Sequence, residues 1–329
     1  MDDDSKATPS VGGDDGLFTT LRAMKDPVCV DLRGPSAWYK MKKRPKHLPQ
    51  RKLDELKRVV AEIRARHDVE MVILFGSHAR GNWVEDAYEE DDIHYEYHSD
   101  FDILIVMADK AGERDAAHDT ALTEALLPGQ NGTRVNYIVH TIQYVNQMLS
   151  ERRYFFMDIL KDGYQLYDSG RYKLARPPKE LPPAVMLKHA REYFEEWTES
   201  GDGFIAGAKF QQSEGRLKIA AFDLHQAAER YITCLLLVYT GYRPKEHDMA
   251  KLLQQGAGFA QELHALFPND SQEEQHLFDL LRRAYVDARY SRTYQISDEE
   301  FEGLYQWVLR LKQIVTKLCQ DKIKALKSA

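Results

Sequence analysis

The sequence predicts two units in series. The first is an α+β N-terminal domain, a mixed sheet with flanking helices. The second is an all-α helical bundle. Three observations carry this. Strand-length apolar runs alternate with helical patterns up to about residue 170. Four prolines then crowd into Arg176-Pro177-Pro178-Lys179-Glu180-Leu181-Pro182-Pro183 and break both periodicities. Every apolar pattern beyond them has helical spacing.

The elements follow in order. Residues 1–48 form an N-terminal extension, partly disordered, whose opening is polar and rich in Gly and Asp. It ends in a basic run, Lys40-Met41-Lys42-Lys43-Arg44-Pro45-Lys46, after Trp38 and Tyr39. That run reads as a solvated loop, with phosphate or RNA contact as the alternative. The sheet domain spans 49–175. Leu53, Leu56, Val59, Val60 and Ile63 mark a helix, and Met71–Phe75 a strand. A Gly76-Ser77 turn and a short helical piece follow. Glu85 to His98 reads as an inserted hairpin, and Phe101–Met107 as the next strand. One helix is expected through Ala116, Leu122, Ala125 and Leu126, ending at Pro128-Gly129. A third strand, Arg134–His140, precedes a helix from Met148 to Leu160 and a short strand ending at Asp168.

The linker is 176–183 and the helical domain 184–329. Its expected helices are Ala184–Gln212, Arg216–Tyr239, Asp248–Gln255, Gln272–Tyr290 and Ser297–Lys327. Gly241 caps the second, and Ser297 with Glu300 forms a capping box on the last. Short connections between such helices make a bundle.

Composition narrows the class. The chain has 329 residues, 43% of them hydrophobic, enough for two cored domains. A formal charge of -7 excludes a global basic field that would recruit nucleic acid. Cys29, Cys234 and Cys319 are far apart and have no CxxC spacing, so neither a disulfide framework nor a zinc site is expected. A cytoplasmic location fits. The acidic start, Met1-Asp2-Asp3-Asp4-Ser5, has no secretory apolar core. Tyr231–Tyr239 is too short to span a bilayer, so no membrane partner is expected.

The chemistry concentrates in Gly76-Ser77-His78-Ala79-Arg80-Gly81 and Ser99-Asp100-Phe101-Asp102. On a strand, Asp100 and Asp102 point to one face. Carboxylates suit hard cations such as Mg2+. Gly76 lets the backbone approach a phosphate closely. Ser77 offers a hydroxyl and an N–H. Arg80 is either a phosphate contact or an exposed helix residue. Phosphoryl transfer asks a protein mainly for positioning and charge neutralisation.

Strand, Gly-Ser, helix, then Asp-x-Asp on the next strand resembles the DNA-polymerase-beta-like nucleotidyltransferases, over roughly residues 50 to 170. The G-S-x-A-R-G spelling is similar to their minimal or antibiotic-type branch. The resemblance implies Mg2+ (or Mn2+) at Asp100 and Asp102, a triphosphate cradled by Gly76 and Ser77, and transfer of AMP from ATP. Two departures stand out. The stretch Asn82 to His98, with Glu85, Asp86, Glu89, Glu90, Asp91 and Asp92, separates the motif halves. The third carboxylate common in that superfamily is matched by Asn136, an amide that can ligate a metal but cannot act as a general base.

The helical half is similar to the HEPN domains (higher eukaryotes and prokaryotes nucleotide-binding), over about 185 to 325. The matching pieces are Leu224-His225-Gln226-Ala227-Ala228-Glu229-Arg230, then Gly241 and His247-Asp248-Met249, and Ala284-Tyr285-Val286-Asp287-Ala288-Arg289-Tyr290. Members are helical and often dimeric, and they bind nucleotides or cleave RNA. Arg289 is the counterpart of the arginine in the nucleases' R-x4–6-H. No histidine follows it, so nucleotide or phosphate binding is the role expected of Arg289. Arg283 and Asp287 should pair at i, i+4.

The expected activity is metal-dependent nucleotidyl transfer to an acceptor that the residues do not identify, whether RNA, protein or a small molecule. Homodimerisation is expected through the helical domain. The alternative is a nucleotide-binding regulatory or toxin–antitoxin-like protein with little turnover. RNA cleavage by the helical domain ranks third.

Overall fold

A computed structural model describes residues 41–90, 93–128, 132–245, 247–259, 261–264, 266 and 271–328. The extension before residue 41, including Trp38, Tyr39 and Lys40, lies outside the described residues. So do Gly129 and the side chains of the insert from Asp86 to His98.

Helix α1 (Gln50–Arg66) leads into strand β1 (Met71–Phe75) and the short helix α2 (Gly76–Arg80). Strands β2 (Glu85–Glu90) and β3 (Ile93–His98) pair antiparallel as the expected inserted ribbon. Strand β4 (Phe101–Met107) is followed by helices α3 (Lys110–Ala117) and α4 (Thr120–Ala125), then strand β5 (Val135–Thr141). Helices α5 (Ile142–Ser150) and α6 (Tyr154–Asp162) and strand β6 (Tyr164–Asp168) complete this half. The four-stranded sheet has the order β5-β4-β1-β6. Strand β1 is antiparallel to both its neighbours, and β4 is parallel to β5.

Why the strands read as continuous apolar runs is visible in the two cores. Val72 and Leu74 join Phe101, Ile103 and Ile105 against Leu56, Val59 and Ile63 of α1. Met71 and Ile73 join Leu104 and Val106 against α5 and α6. Both faces of β1 and β4 are therefore covered, and alternation in the sequence disappears.

Three expected helices are each divided. The helix expected through Ala116, Leu122, Ala125 and Leu126 breaks into α3 and α4 because Asp119 caps a new start, accepting from the Leu122 N–H at 2.9 Å. The helix from Met148 to Leu160 is also two. Arg152, with φ of 52°, ends α5, while the Arg153 N–H reaches the Met148 carbonyl and the Arg152 N–H the Leu149 carbonyl. That is a Schellman ending without its usual glycine. The basic run is only partly a solvated loop: Met41 is buried and Lys42 bridges Tyr164 of β6.

The helical half comprises α7 (Pro183–Ser213), α8 (Leu217–Thr240), α9 (Met249–Ala257), α10 (Gln261–His264), α11 (Gln272–Arg283), α12 (Asp287–Tyr290) and α13 (Asp298–Ser328). Its core is one cluster running from Ala190 to Cys319. Gly241 closes α8 with φ of 67°. The Ser297–Glu300 capping box forms in both directions, at 3.1 and 2.7 Å. The expected single helix Gln272–Tyr290 divides into α11 and α12. Arg283 still pairs with Asp287 at 2.7 Å, now across the break. Cys234 and Cys319, remote in sequence, meet in the core as free thiols; the Cys234 thiol beside Cys319, together with burial, pushes the Cys319 thiol up.

Ionic contacts join the halves. Arg153 meets Glu192, His189 meets Glu151 at 3.2 Å, and Lys245 meets Asp158 and Asp162 at 3.1 and 3.0 Å. Among the described residues no helix is long and apolar enough to cross a membrane.

Candidate functional site

The antiparallel register of β1 and β4 sets Phe75 opposite Asp102. Gly76, the next residue, has φ of +75°, and a Cβ on it would collide with the Asp102 carboxylate. The two motif halves, separated in sequence by the inserted ribbon, are therefore in contact. Asp102 lies opposite Asn136 of β5 in the parallel register, and the Asn136 amide donates to Asp100 Oδ2 at 2.8 Å. The register brings Gly76, Asp100, Asp102 and Asn136 into one cluster. Ser77 follows at the start of α2, half-buried, its carbonyl accepting from Gly81 and Asn82. Arg80 is exposed on α2.

Burial, reinforced by the negative charge of Asp100, raises the Asp102 carboxyl above the ordinary carboxylate range; the Arg80 charge opposes this. A half-buried acid beside a second carboxylate is a place where a divalent cation would relieve repulsion. Among the described residues no three His, Cys, Asp or Glu side chains converge as a metal-holding group. Two carboxylates plus the Asn136 amide still suit Mg2+, which commonly keeps water and substrate oxygens in its shell.

His78 was not among the expected site residues. It is fully buried, and its Nδ1–H donates to the Asp100 carbonyl at 2.9 Å. Burial lowers its pKa below the usual imidazole value. It stacks on Trp83 and meets Phe101 edge-on. His47 in turn donates to the His78 carbonyl at 2.7 Å. These contacts fix the backbone from which Asp100 projects. The one signal in the sequence was the position of His78 inside G-S-x-A-R-G. A surface concavity lined by His67, Arg114, Asp115, His118 and Asp119 shares no residue with this cluster.

Arg289 lies in the other half. Its Nε donates to the Tyr285 carbonyl at 2.7 Å, and its guanidinium packs on Tyr285, Tyr290 and Phe222 at 4.7, 5.0 and 5.1 Å from the ring centroids. Tyr285 also carries two histidines from other segments. His225 tilts against it and donates to the Leu281 carbonyl at 2.9 Å. His247 stacks on it at 5.3 Å and 8°, with Nδ1 3.2 Å from Glu229. Burial lowers the pKa of His225. The Tyr285 ring thus gathers His225, His247 and Arg289 from separate segments.

Residues 194–318 match the HEPN domain family model. The chain carries a HEPN domain. This HEPN domain takes in about two thirds of α7 and of α13, and the Tyr285 cluster lies within it. The sheet half lies outside the match. No curated protein matches the chain.

Proposed function

We propose that the sheet half is a metal-dependent nucleotidyltransferase coupled to the HEPN domain, moving AMP from ATP to an acceptor hydroxyl and releasing pyrophosphate. The reading is supported above all by the packing of Gly76 on the Asp102 carboxylate. That contact puts a turn able to admit a phosphate chain against a carboxylate pair able to hold a cation. Asp100 and Asp102 would hold Mg2+, with Asn136 beside them. When bound, the cation supplies charge neutralisation at the phosphates and a more acidic acceptor oxygen. The protein's own part is orientation. Gly76 lets the turn close on the Asp102 carboxylate, Ser77 donates to phosphate oxygens, and Arg80 adds positive charge. His78 holds the Asp100 backbone in place.

The test uses ATP labelled at the α-phosphate with Mg2+ or Mn2+, and RNA, protein and small-molecule acceptors. Wild type should transfer label, and Asp100→Asn with Asp102→Asn should not. Equal labelling by both proteins, or by neither, removes the enzymatic reading. Saturable ATP binding without product favours a nucleotide-binding regulatory or toxin–antitoxin-like protein instead.

The grouping of His247 and Arg289 around Tyr285 favours a second reading for the HEPN domain, RNA cleavage without metal. His247 would act as acid or base and Arg289 would hold the phosphate. RNA breakdown in EDTA that His247→Ala and Arg289→Ala each abolish would support it. Intact RNA with wild type removes it.

A further inference from the structure

A third charged cluster lies apart from both of these sites. Trp197 of α7 is 4% exposed, and its indole Nε1–H is buried with no hydrogen-bond partner among the described residues. The Arg230 guanidinium of α8 lies 4.8 Å from the centroid of that indole, and the Arg243 guanidinium, from the loop after α8, lies 5.2 Å from it. The Arg230 Nε is likewise buried and without an acceptor. Each of these groups is a donor only. Neither guanidinium has a carboxylate at ion-pair distance among the described residues. Arg153, which leans on Tyr193 one turn before Trp197, differs in being paired with Glu151 and Glu192.

Two positive charges on one ring, neither paired among the described residues, with buried donors beside them, make an acceptor-poor environment that an oxyanion would complete. The charge count selects among oxyanions. A phosphate or phosphate monoester carries close to two negative charges and matches both guanidinium groups, whereas a carboxylate matches one. Arginine is suited to this because its planar fork presents several N–H groups to phosphate oxygens while its face remains on an aromatic ring. The cluster also lies at the junction of the halves. Two residues after Arg243, Lys245 pairs with Asp158 and Asp162 of α6.

We propose that Trp197, Arg230 and Arg243 form an anion site for a phosphate group, at the junction of the HEPN domain and the sheet half. Arg243, on a loop, closes over the ligand while Trp197 and Arg230 receive it from the helices. The site is independent of the nucleotidyl-transfer reading.

Calorimetric titration of the full chain at constant ionic strength tests it, with inorganic phosphate, AMP and acetate as probes. Wild type should bind phosphate saturably and acetate much more weakly. Arg243→Gln and Arg230→Gln should each weaken binding about tenfold, and Trp197→Phe, which keeps a ring but loses the N–H, should weaken it several-fold. Tighter binding of AMP than of phosphate supports a monoester as the ligand; the reverse supports the free ion. Circular dichroism checks that each variant is folded, and the loop variant Arg243→Gln decides if a helix variant is not. Phosphate heats that never saturate, that acetate reproduces, or that Arg243→Gln leaves unchanged mean an adventitious ion only and overturn the proposal.

Discussion

The Asp102 carboxylate fills the space that a side chain at position 76 would need. Glycine is required there twice over, since φ at that residue is also +75°. Gly76→Ala should destabilise the protein by about 2–4 kcal/mol, combining the left-handed backbone penalty with the collision. Chemical denaturation measures it. Binding of Mg2+ and ATP should fall in parallel, because the carboxylate must move.

Asn136→Asp would put a third carboxylate against Asp100 and replace a donated hydrogen bond by like-charge contact. Without metal the variant should lose about 1–3 kcal/mol at pH 7. The sign with pH follows from Asp102. Its folded carboxyl is already raised above 3.8, so its contribution to stability is present below that value and lost as pH rises through the raised folded pKa. A new neighbour at 136 strengthens the same trend, so the variant's deficit should shrink in acid. Added Mg2+ should restore stability at pH 7 and raise any transfer activity. Thermal melts with and without Mg2+ across pH decide the point.

At the junction of the halves, Glu151 accepts from Gln147 at 2.9 Å and meets His189, Lys188 and Arg153. The Gln147 hydrogen bond first, then His189 and the two cations, hold its carboxyl down at about 2. The stabilisation is therefore present above 4.5 and lost as pH falls through about 2. Glu151→Gln should cost about 1–2 kcal/mol at pH 7 and very little near pH 2. Urea midpoints at the two pH values check this.

Gly201 lies inside α7, where glycine ordinarily costs about 1 kcal/mol relative to alanine. Here a Cβ would stand 2.8 Å from Tyr231 Cζ, in a ring that is fully buried. Gly201→Ala should therefore destabilise by about 1–3 kcal/mol instead of stabilising. A lowered melting temperature is the expected result, and a raised one would show that Tyr231 can yield.

Much of the architecture was legible along the chain. Met71–Phe75 and Phe101–Met107 emerged with the bounds expected, because strands buried on both faces leave unbroken apolar runs. Gly241 and the Ser297–Glu300 box also announced their helix ends. The divided helices were harder. Asp119 and Arg152 interrupt patterns whose apolar spacing continues across the break, so periodicity alone joined what local hydrogen bonds separate.

The sequence by itself determined the residue types available for chemistry: two carboxylates at i and i+2, a Gly-Ser turn, and a helical half matching the HEPN spelling. Tertiary structure alone decided which of them meet. Strand register carried Gly76 to Asp102 and Asn136 to Asp100, and helix packing carried His225 and His247 to the ring beneath Arg289. Periodicity records which face a residue takes, whereas contacts between distant segments depend on register and packing, which no local pattern encodes.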